Sequence, residues 1–532
     1  MNKMDEQNGF REKRACVDHI FSLTSIIRNR FAESKDTFAC FIDIQKAFDW
    51  VDRDMLFYKL LSYNIDGKIY KCIKSLYNHP LSCIKVNSYT TDWFETENGV
   101  RQGDSLSPTL FAIFINDLAK EINNLNIGIP AGDRKVSILL FADDIVILGE
   151  NEPDLQTLLS FVNAWCKNWR LKINMDKTKI VHYRKKRKRK TQFTFMLNEQ
   201  IEIVNTYKYL GIYLDEHLDF NKTGDILAGA AGRALGSIIS KFKTFRNVGF
   251  KTYEKLYYNG VVPILDYCSG VWGYGKLECS SKIQHRALRY YLGVHQKTPI
   301  LALEGDTGWL SCTVRRHIEM IRLWNRLVNM DDSRLTKSIF LWDYNQCKNN
   351  WCQEMEQLCN DIEDNFFIQK ITCNIDNYQQ KCMEKWADTW RENLSTKPKL
   401  RTYKLFKNEY HTEDFVKYCY SRPKRSLLAQ LRSGVLPLHI ETGRFRNLKP
   451  EERLCSLCNS NEIEDEVHFV CKCTALTDLR EELYGQVENR IENFTDLNDN
   501  DKFVHLVKLE WRPLCSYIEK AWNVRTSLIY MY

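Results

Sequence analysis

The sequence predicts an α+β chain of several domains: strands interleaved with helices first, then a mostly helical remainder. Three observations carry that reading. The 532 residues exceed what one compact core usually holds. From Phe38 to about Asp215 short strand-like runs alternate with helical spacing. Beyond about Asp219 apolar residues recur at intervals of three and four through Met330 and, more weakly, to about Leu436.

The elements follow in order. Phe38–Asp43 reads as a short buried strand, and Arg53–Tyr63 and Lys68–Tyr77 as helices. Ser82–Asn87 and Trp93–Glu97 flank a Ser-Tyr-Thr-Thr turn and read as a hairpin. Ser107–Asn123 is helical, with Ser-Pro as its opening pair. Val136–Gly149 is apolar on both sides of two aspartates, and Asn151 caps a long amphipathic helix with Pro153 in its first turn. Gln192–Leu197, Gln200–Val204 and Tyr207–Leu214 are strand-like.

Composition excludes several classes. With 44% apolar and 27% charged residues, 11 prolines and 23 glycines, the chain is neither disordered nor collagen-like. Its longest apolar stretches, such as Val136–Ala142, fall far short of the ~20 residues of a membrane-spanning helix. Met1–Phe10 is polar, so no signal peptide and no membrane partner are expected, and the chain reads as soluble and intracellular. The net charge is +8, and seven positive charges sit in the unbroken run Arg184–Lys190. That run fits a polyanion contact, a solvated loop tip or a nuclear localisation segment, which points to the nucleus. Of the 19 cysteines, Cys40, Cys72, Cys166 and Cys268 lie inside apolar segments and read as small buried hydrophobes.

The strongest chemical signal is Phe141-Ala-Asp-Asp144, a carboxylate pair inside an apolar run. Burying it is costly unless a turn lifts it to the rim and a cation neutralises it. Asp43 ends the apolar strand Phe38–Ile42 in the same way. If the two strands are neighbours, Asp43 and Asp143 converge, and Mg²⁺ with oxygen ligands suits such a cluster.

Asp43-Ile-Gln-Lys-Ala-Phe-Asp49, Asn98-Gly-Val-Arg-Gln-Gly-Asp-Ser-Leu-Ser-Pro108 and Phe141-Ala-Asp-Asp144 follow one another in this order. Leu171-Lys-Ile-Asn-Met-Asp-Lys-Thr178 and Tyr209-Leu-Gly211 continue the series. Together they resemble motifs A to E of the reverse transcriptases of non-LTR (LINE-like, jockey-type) retrotransposons. Pro263-Ile-Leu-Asp-Tyr267 and Ile283-Gln-His-Arg-Ala-Leu-Arg289 resemble the segment after the palm.

The resemblance implies a right-hand polymerase palm with partial fingers, a helical thumb and a helical C-terminal region ending in a zinc knuckle. The expected segments are partial fingers at 1–35, palm at 36–218 with finger elements at 52–97, and thumb and connector at 219–330. A helical region at 331–445, the knuckle at 446–480 and a helical tail at 481–532 complete the chain. Asp43 and Asp143, with Asp144 in support, would hold two Mg²⁺ ions for an RNA-directed DNA polymerase. Asp49 reads as structural. Phe48 would be a steric gate selecting deoxynucleoside triphosphates, where without the flanking motif it would be a plain core phenylalanine. Arg101, Gln102 and Gly103 would line the nucleotide pocket, with Gly103 letting the backbone approach a base. Lys177 reads either as a proton donor to pyrophosphate or as a surface lysine. Tyr209, Leu210 and Gly211 would grip the DNA primer on an RNA template. Gln7-Asn-Gly-Phe-Arg-Glu-Lys-Arg14 resembles the second fingers motif, with Arg11 and Arg14 as triphosphate contacts. Earlier fingers and the family's endonuclease are therefore expected to be missing, with a separate endonuclease supplying any nick. The alternative reading is a truncated remnant that binds nucleic acid and polymerises weakly.

Near the end, Cys455-x2-Cys458-x9-His468-x4-Cys473 has soft ligands at zinc spacing, with Cys471 as an alternative fourth ligand. Arg453 and the Glu-Asp-Glu turn inside it suit a small exposed knuckle that clips a short segment and could grip RNA or DNA. The competing reading is a chance Cys-x-x-Cys beside a buried His468.

Overall fold

The computed structural model describes residues 4–244, 248–491 and 493–530. Two compact units emerge, and they are not consecutive in the chain. The first combines Met1–Thr223, Cys268–Tyr274 and His317–Asn374; the second combines Gly224–Tyr267, Gly275–Arg316 and Ile375–Tyr532.

The first unit is built on a five-stranded sheet. Its strands are β1 (Thr37–Asp43), β2 (Ile138–Phe141), β3 (Asp144–Gly149), β4 (Lys179–Tyr183) and β5 (Glu202–Val204), in the order β5-β4-β1-β3-β2. β1 is central, antiparallel to both β3 and β4, and β4 runs parallel to β5. Its unbroken apolar run is explained by burial on two faces. Phe38, Cys40 and Ile42 join a core with Leu110, Phe114, Leu155 and Leu158. Phe41, on the opposite face, stacks on Tyr207 with centroids 4.3 Å apart. The helices are α1 (Cys16–Ala32), α2 (Arg53–Ser62), α3 (Gly67–Leu76), α4 (Ser107–Asn124) and α5 (Glu152–Asn168). Asn151 caps α5, its side chain accepting from the Asp154 amide, as the sequence predicts.

The structure corrects several sequence expectations. Gln192–Leu197 forms no strand, because the side chain of Gln156 on α5 takes both the amide and the carbonyl of Met196. Tyr207–Leu214 is a hairpin of β6 (Thr206–Tyr209) and β7 (Ile212–Asp215), turning at Leu210–Gly211 with φ of 45° and 90°. β4 carried no sequence signal that set it apart. Cys40 and Cys166 are buried, but Cys72 is exposed and Cys268 half-buried. Cys72 lies on α3, where Ile73 is the buried position.

Beyond Asp219 the described elements are helical, and no helix among the described residues is long and apolar enough to cross a membrane.

The basic run is largely held by the protein itself. Arg184 is buried and paired with Glu216 at 2.6 Å, and Lys188 with Asp36 at 2.7 Å. Lys185 donates to Ser34, Lys186 pairs with Asp219 and Lys190 donates to Asn205. Arg187 and Arg189 are exposed, as are Lys185, Lys186 and Lys188.

One buried charge fastens the start of this unit. Asp18, fully buried in the first turn of α1, accepts two bonds from Arg326, at 2.7 and 2.8 Å, and one from Arg334 at 3.0 Å. Burial pushes its carboxyl up, but the Arg326 and Arg334 guanidinium groups outweigh it and hold the carboxyl below its usual range. Replacing one member strands the others in the interior. Asp18→Asn is expected to lower stability by about 3 kcal/mol, read as a shifted urea midpoint that narrows towards the acid limit as the wild-type carboxylate protonates.

Candidate active site and metal centre

Three carboxylates meet at the ends of three strands. Asp43 closes β1 and lies directly opposite Asp144, which opens β3. Facing residues of an antiparallel pair have Cα atoms ~4.5–5.5 Å apart. Asp143 sits beside them in the two-residue turn between β2 and β3, across which Phe141 pairs with Asp144. The convergence read from the sequence is therefore present. Burial, then the charges of Asp143 and Asp43, push the Asp144 carboxyl up to about 6. Burial and Asp43 raise Asp143 likewise. Lys177 stands 3.6 Å from Asp43, with its side chain largely in solvent. Asn174 binds Asp43 twice, its amide on the carbonyl at 2.8 Å and its side chain on Oδ2 at 3.0 Å.

The turn has a strained residue and a clamp. Ala142 has φ of 58°, a left-handed conformation unfavourable for a residue with a Cβ. Gln7 braces it: Oε1 accepts from the Ala142 amide at 2.9 Å, and Nε2 donates to its carbonyl at 3.3 Å. A Cβ on Gly9 would lie 2.3 Å from the Ala142 nitrogen, so only glycine lets this loop reach the turn. Arg11 donates to the Met4 and Gln7 carbonyls, and Arg14 pairs with Asp5 and Asn8. These two arginines, expected at the triphosphate, hold the loop that holds the turn.

The remaining residues take mixed positions. Phe48 is half-buried and stacked on Phe111, with centroids 4.6 Å apart. Gln102 Nε2 donates to the exposed Asp49 at 2.9 Å. Arg101 donates to the Leu76 carbonyl at 2.7 Å. Gly103 has φ of 84°, and a Cβ there would meet nothing within 4 Å, so its backbone conformation requires glycine and the space above it is open. Tyr209 is buried with its hydroxyl 3.2 Å from His19 Nδ1. Burial brings His19 down to about 4, so it is neutral. Burial, and after it the charge of Asp144, raise the Tyr209 and Tyr207 hydroxyls. Gln7, Gly9 and Asn174 are the functional positions that sequence reasoning passed over. Gln7 and Gly9 lie inside the stretch singled out for its arginines.

In the second unit, one ligand atom each of Cys455, Cys458, His468 and Cys473 lies within 4.8 Å of all the others. Sγ of Cys455 and Cys473 are 3.9 Å apart, and Cys458 Sγ is 3.4 Å from His468 Nε2. A tetrahedral zinc with Zn–S of ~2.3 Å sets ligand separations of roughly 3.5–3.8 Å, so the donor set fits the ion. A π-helical turn, His468–Lys472, brings the last two ligands together through a 2.8 Å bond from the Cys473 amide to the His468 carbonyl. Glu462 accepts from or faces His468 Nδ1 at 3.1 Å, the orienting contact typical of metal-bound histidine. Hydrogen bonds from Cys473 and His468 hold the Cys455 thiol well below its usual range. Cys471 points elsewhere; burial pushes its thiol up to about 12, beside Tyr484. The exposed knuckle expected from the Glu-Asp-Glu turn is not what forms. Glu464 and Glu466 are each 1% exposed, Glu464 paired with Arg525 at 2.7 and 2.9 Å and Glu466 with Arg401 at 2.7 Å.

Residues 1–214 match the family described as reverse transcriptase (RNA-dependent DNA polymerase). A probable RNA-directed DNA polymerase from transposon BS of Drosophila melanogaster is 29% identical, over 54% of this chain and 32% of that protein. The RNA-directed DNA polymerase from mobile element jockey of Drosophila funebris is 28% identical, over 41% and 24%. Over these residues the chain is similar to the reverse transcriptases of non-LTR retrotransposons. A Pol polyprotein from the type-1 retrotransposable element R2 of Popillia japonica is 29% identical, over 56% of this chain and 50% of that protein. The chain thus spans between a quarter and a half of the length of these relatives. A telomerase from Candida albicans, solved with a fragment of telomeric RNA, gives a TM-score of 0.28 at 12% identity over 64% of this chain and 50% of that one, a likeness too low to carry argument.

The raised Asp144 carboxyl makes stability depend on pH when no divalent ion is bound. A carboxyl lifted above its ordinary value makes the folded state bind the proton more tightly than the unfolded one. Stability from this group is then full below pH ~4 and lost as pH rises towards 6. Without divalent ions, Asp144→Asn is expected to melt about 2 °C higher than wild type at pH 7, with the difference gone by about pH 4. Equal melting temperatures at pH 7 would contradict the crowding of these carboxylates.

Proposed function

We propose that this chain is an RNA-directed DNA polymerase that adds deoxynucleotides to a primer 3′-hydroxyl by two-metal-ion catalysis. The observation that carries the reading is the cluster of Asp43, Asp143 and Asp144, three carboxylates with one exposed lysine near them. An all-oxygen donor set with excess negative charge suits hard ions that retain open positions for phosphate oxygens. Asp43 and Asp143 would hold two Mg²⁺, with Asp144 in support. Bound there, the ions would activate the primer hydroxyl and neutralise charge on the leaving pyrophosphate.

The chain's own residues align the reactants. Phe48, fixed against Phe111, would lie beneath the sugar and leave no room for a 2′-hydroxyl. Gln102, Gly103 and Arg101 would line the nucleotide pocket, Gly103 with open space above it. Tyr209, Leu210 and Gly211 would place the primer end from the β6–β7 turn. Lys177 is close enough to Asp43 to deliver a proton to departing pyrophosphate. Arg11 and Arg14 act on the site through the loop bearing Gln7. In this reading residues 1–35 and 52–97 are finger elements, 36–218 the palm and 219–330 the thumb. The partners would be an RNA template, a DNA primer and deoxynucleoside triphosphates, in the nucleus.

Primer extension on an RNA template with Mg²⁺ tests the reading. Asp143→Ala is expected to cut extension by at least about a hundredfold while leaving binding of the primer–template intact. Binding without extension in both proteins would instead make the chain a nucleic-acid-binding module.

The Cys455, Cys458, His468 and Cys473 site would hold a structural Zn²⁺, with Glu462 orienting His468 from outside. A single ion would take all four side chains and leave no open position, which suits folding rather than turnover. Cys473→Ser should weaken zinc binding by about a hundredfold or more and Glu462→Gln by about tenfold, whereas Cys471→Ser should bind as wild type does, in a chelator competition. Loss in Cys471→Ser with retention in Cys473→Ser would reverse the ligand assignment.

A further inference from the structure

Just ahead of the zinc ligands, the chain offers an aromatic ring to solvent on a stiff mount. Gly443–Arg446 forms a 3₁₀ turn, ended by Asn447 at φ of 55°. Beneath it the Arg453 guanidinium donates to the Leu448 carbonyl at 2.6 and 3.1 Å and to the Ile440 carbonyl at 2.8 Å. A Cβ on Gly443 would lie 2.7 Å from Arg453 Cγ, so the turn sits flush on the arginine stem. Held this way, Phe445 is 69% exposed.

The surroundings of that ring are cationic. Lys297 Nζ lies 5.5 Å from its centroid. Arg446 and Lys449 are exposed beside it. Arg444 pairs with Glu441 at 3.3 Å, and Glu441 is also engaged by Lys399. Glu452 accepts from the Lys449 amide, and Glu451 is exposed. Among the described residues no other large apolar side chain between Tyr420 and Leu509 is exposed to this degree. A protein-binding face presents a contiguous apolar patch. A lone ring among cations instead matches an unstacked base with its flanking phosphates.

We propose that this turn binds single-stranded RNA, one base stacking on Phe445 while Arg446, Lys449 and Lys297 contact phosphates. A duplex keeps its bases stacked and offers no free face, which sets the strand requirement. The choice of RNA rests on the reverse transcriptase reading, in which the template is the single strand at hand. The zinc cluster is then the support of the contact and the preceding turn is its surface.

The test is fluorescence anisotropy of a labelled oligouridine on the full zinc-loaded chain, with excess unlabelled primer–template present. Phe445→Ala should weaken binding about tenfold with an unchanged salt slope, and Phe445→Trp should restore it. Arg446→Gln should reduce the salt slope by about one. The proposal is overturned if Phe445→Ala binds as wild type does, if Phe445→Trp is as weak as Phe445→Ala, or if oligodeoxyuridine binds more tightly than oligouridine. Primer extension on the same preparations separates the two readings: wild type that fails to extend, with Phe445-dependent binding intact, removes the polymerase assignment and leaves this one.

Discussion

The pairing of β1 with β3 is the constraint on which the candidate active site depends. It sets Asp43 opposite Asp144, an arrangement that like charges oppose. The register is held from Phe38 against Gly149 to Ile42 against Ile145, through side chains buried on both faces. A slip of one residue would move every one of those side chains to the wrong face. The apolar pairs thus impose on the carboxylates a proximity that their own electrostatics resist. The resulting excess charge is what a cation can relieve.

Around this pair the structure accumulates devices that fix position without neutralising charge. Ala142 adopts a conformation costly for its type, and Gln7 binds its amide and carbonyl together. Asn174 holds Asp43 by backbone and side chain, supplying hydrogen bonds but no charge. The ammonium of Lys177 is 3.6 Å from Asp43 and mostly solvated, where its attraction is screened. Preorganisation with the charge left over is the state expected of a site that completes itself with ions and phosphates.

Much of this was legible in the sequence because periodicity and motif order report local geometry. The alternation around Phe38–Asp43, the Asn151 cap and the aspartates inside Ser137–Leu148 each carry their own signal. What stayed hidden depends on contacts between distant positions. Gln7 looks like any polar residue until its side chain reaches Ala142, 135 residues away. Gln192–Leu197 has strand composition, yet Gln156 takes its backbone hydrogen bonds. The charge run Arg184–Lys190 reads as an open polycation, but Glu216, Asp36 and Asp219 stand where a linear reading cannot see them. The mounting of Asp18 between Arg326 and Arg334 is of the same kind.

The cysteine cluster shows the same division between ligands and setting. Spacing singled out the four residues whose side chains the structure brings within 4.8 Å of one another, with Cys471 as an alternative to the last of them. It could not show that the intervening Glu464 and Glu466 turn inward while Asp465 accepts from the His468 amide at 2.8 Å. Glu464 meets Arg525 on the last described helix, and Tyr517 of that helix donates to the Phe469 carbonyl at 2.8 Å. A ligand loop anchored on both sides by buried ion pairs has little freedom to wrap a polymer. Removing one partner of such a pair leaves an uncompensated interior charge, so the loop and the helix that covers it rise and fall together. Ordering energy from a bound ion would therefore be felt across this core, and contact with another molecule is left to side chains such as Phe445 that the core holds outward.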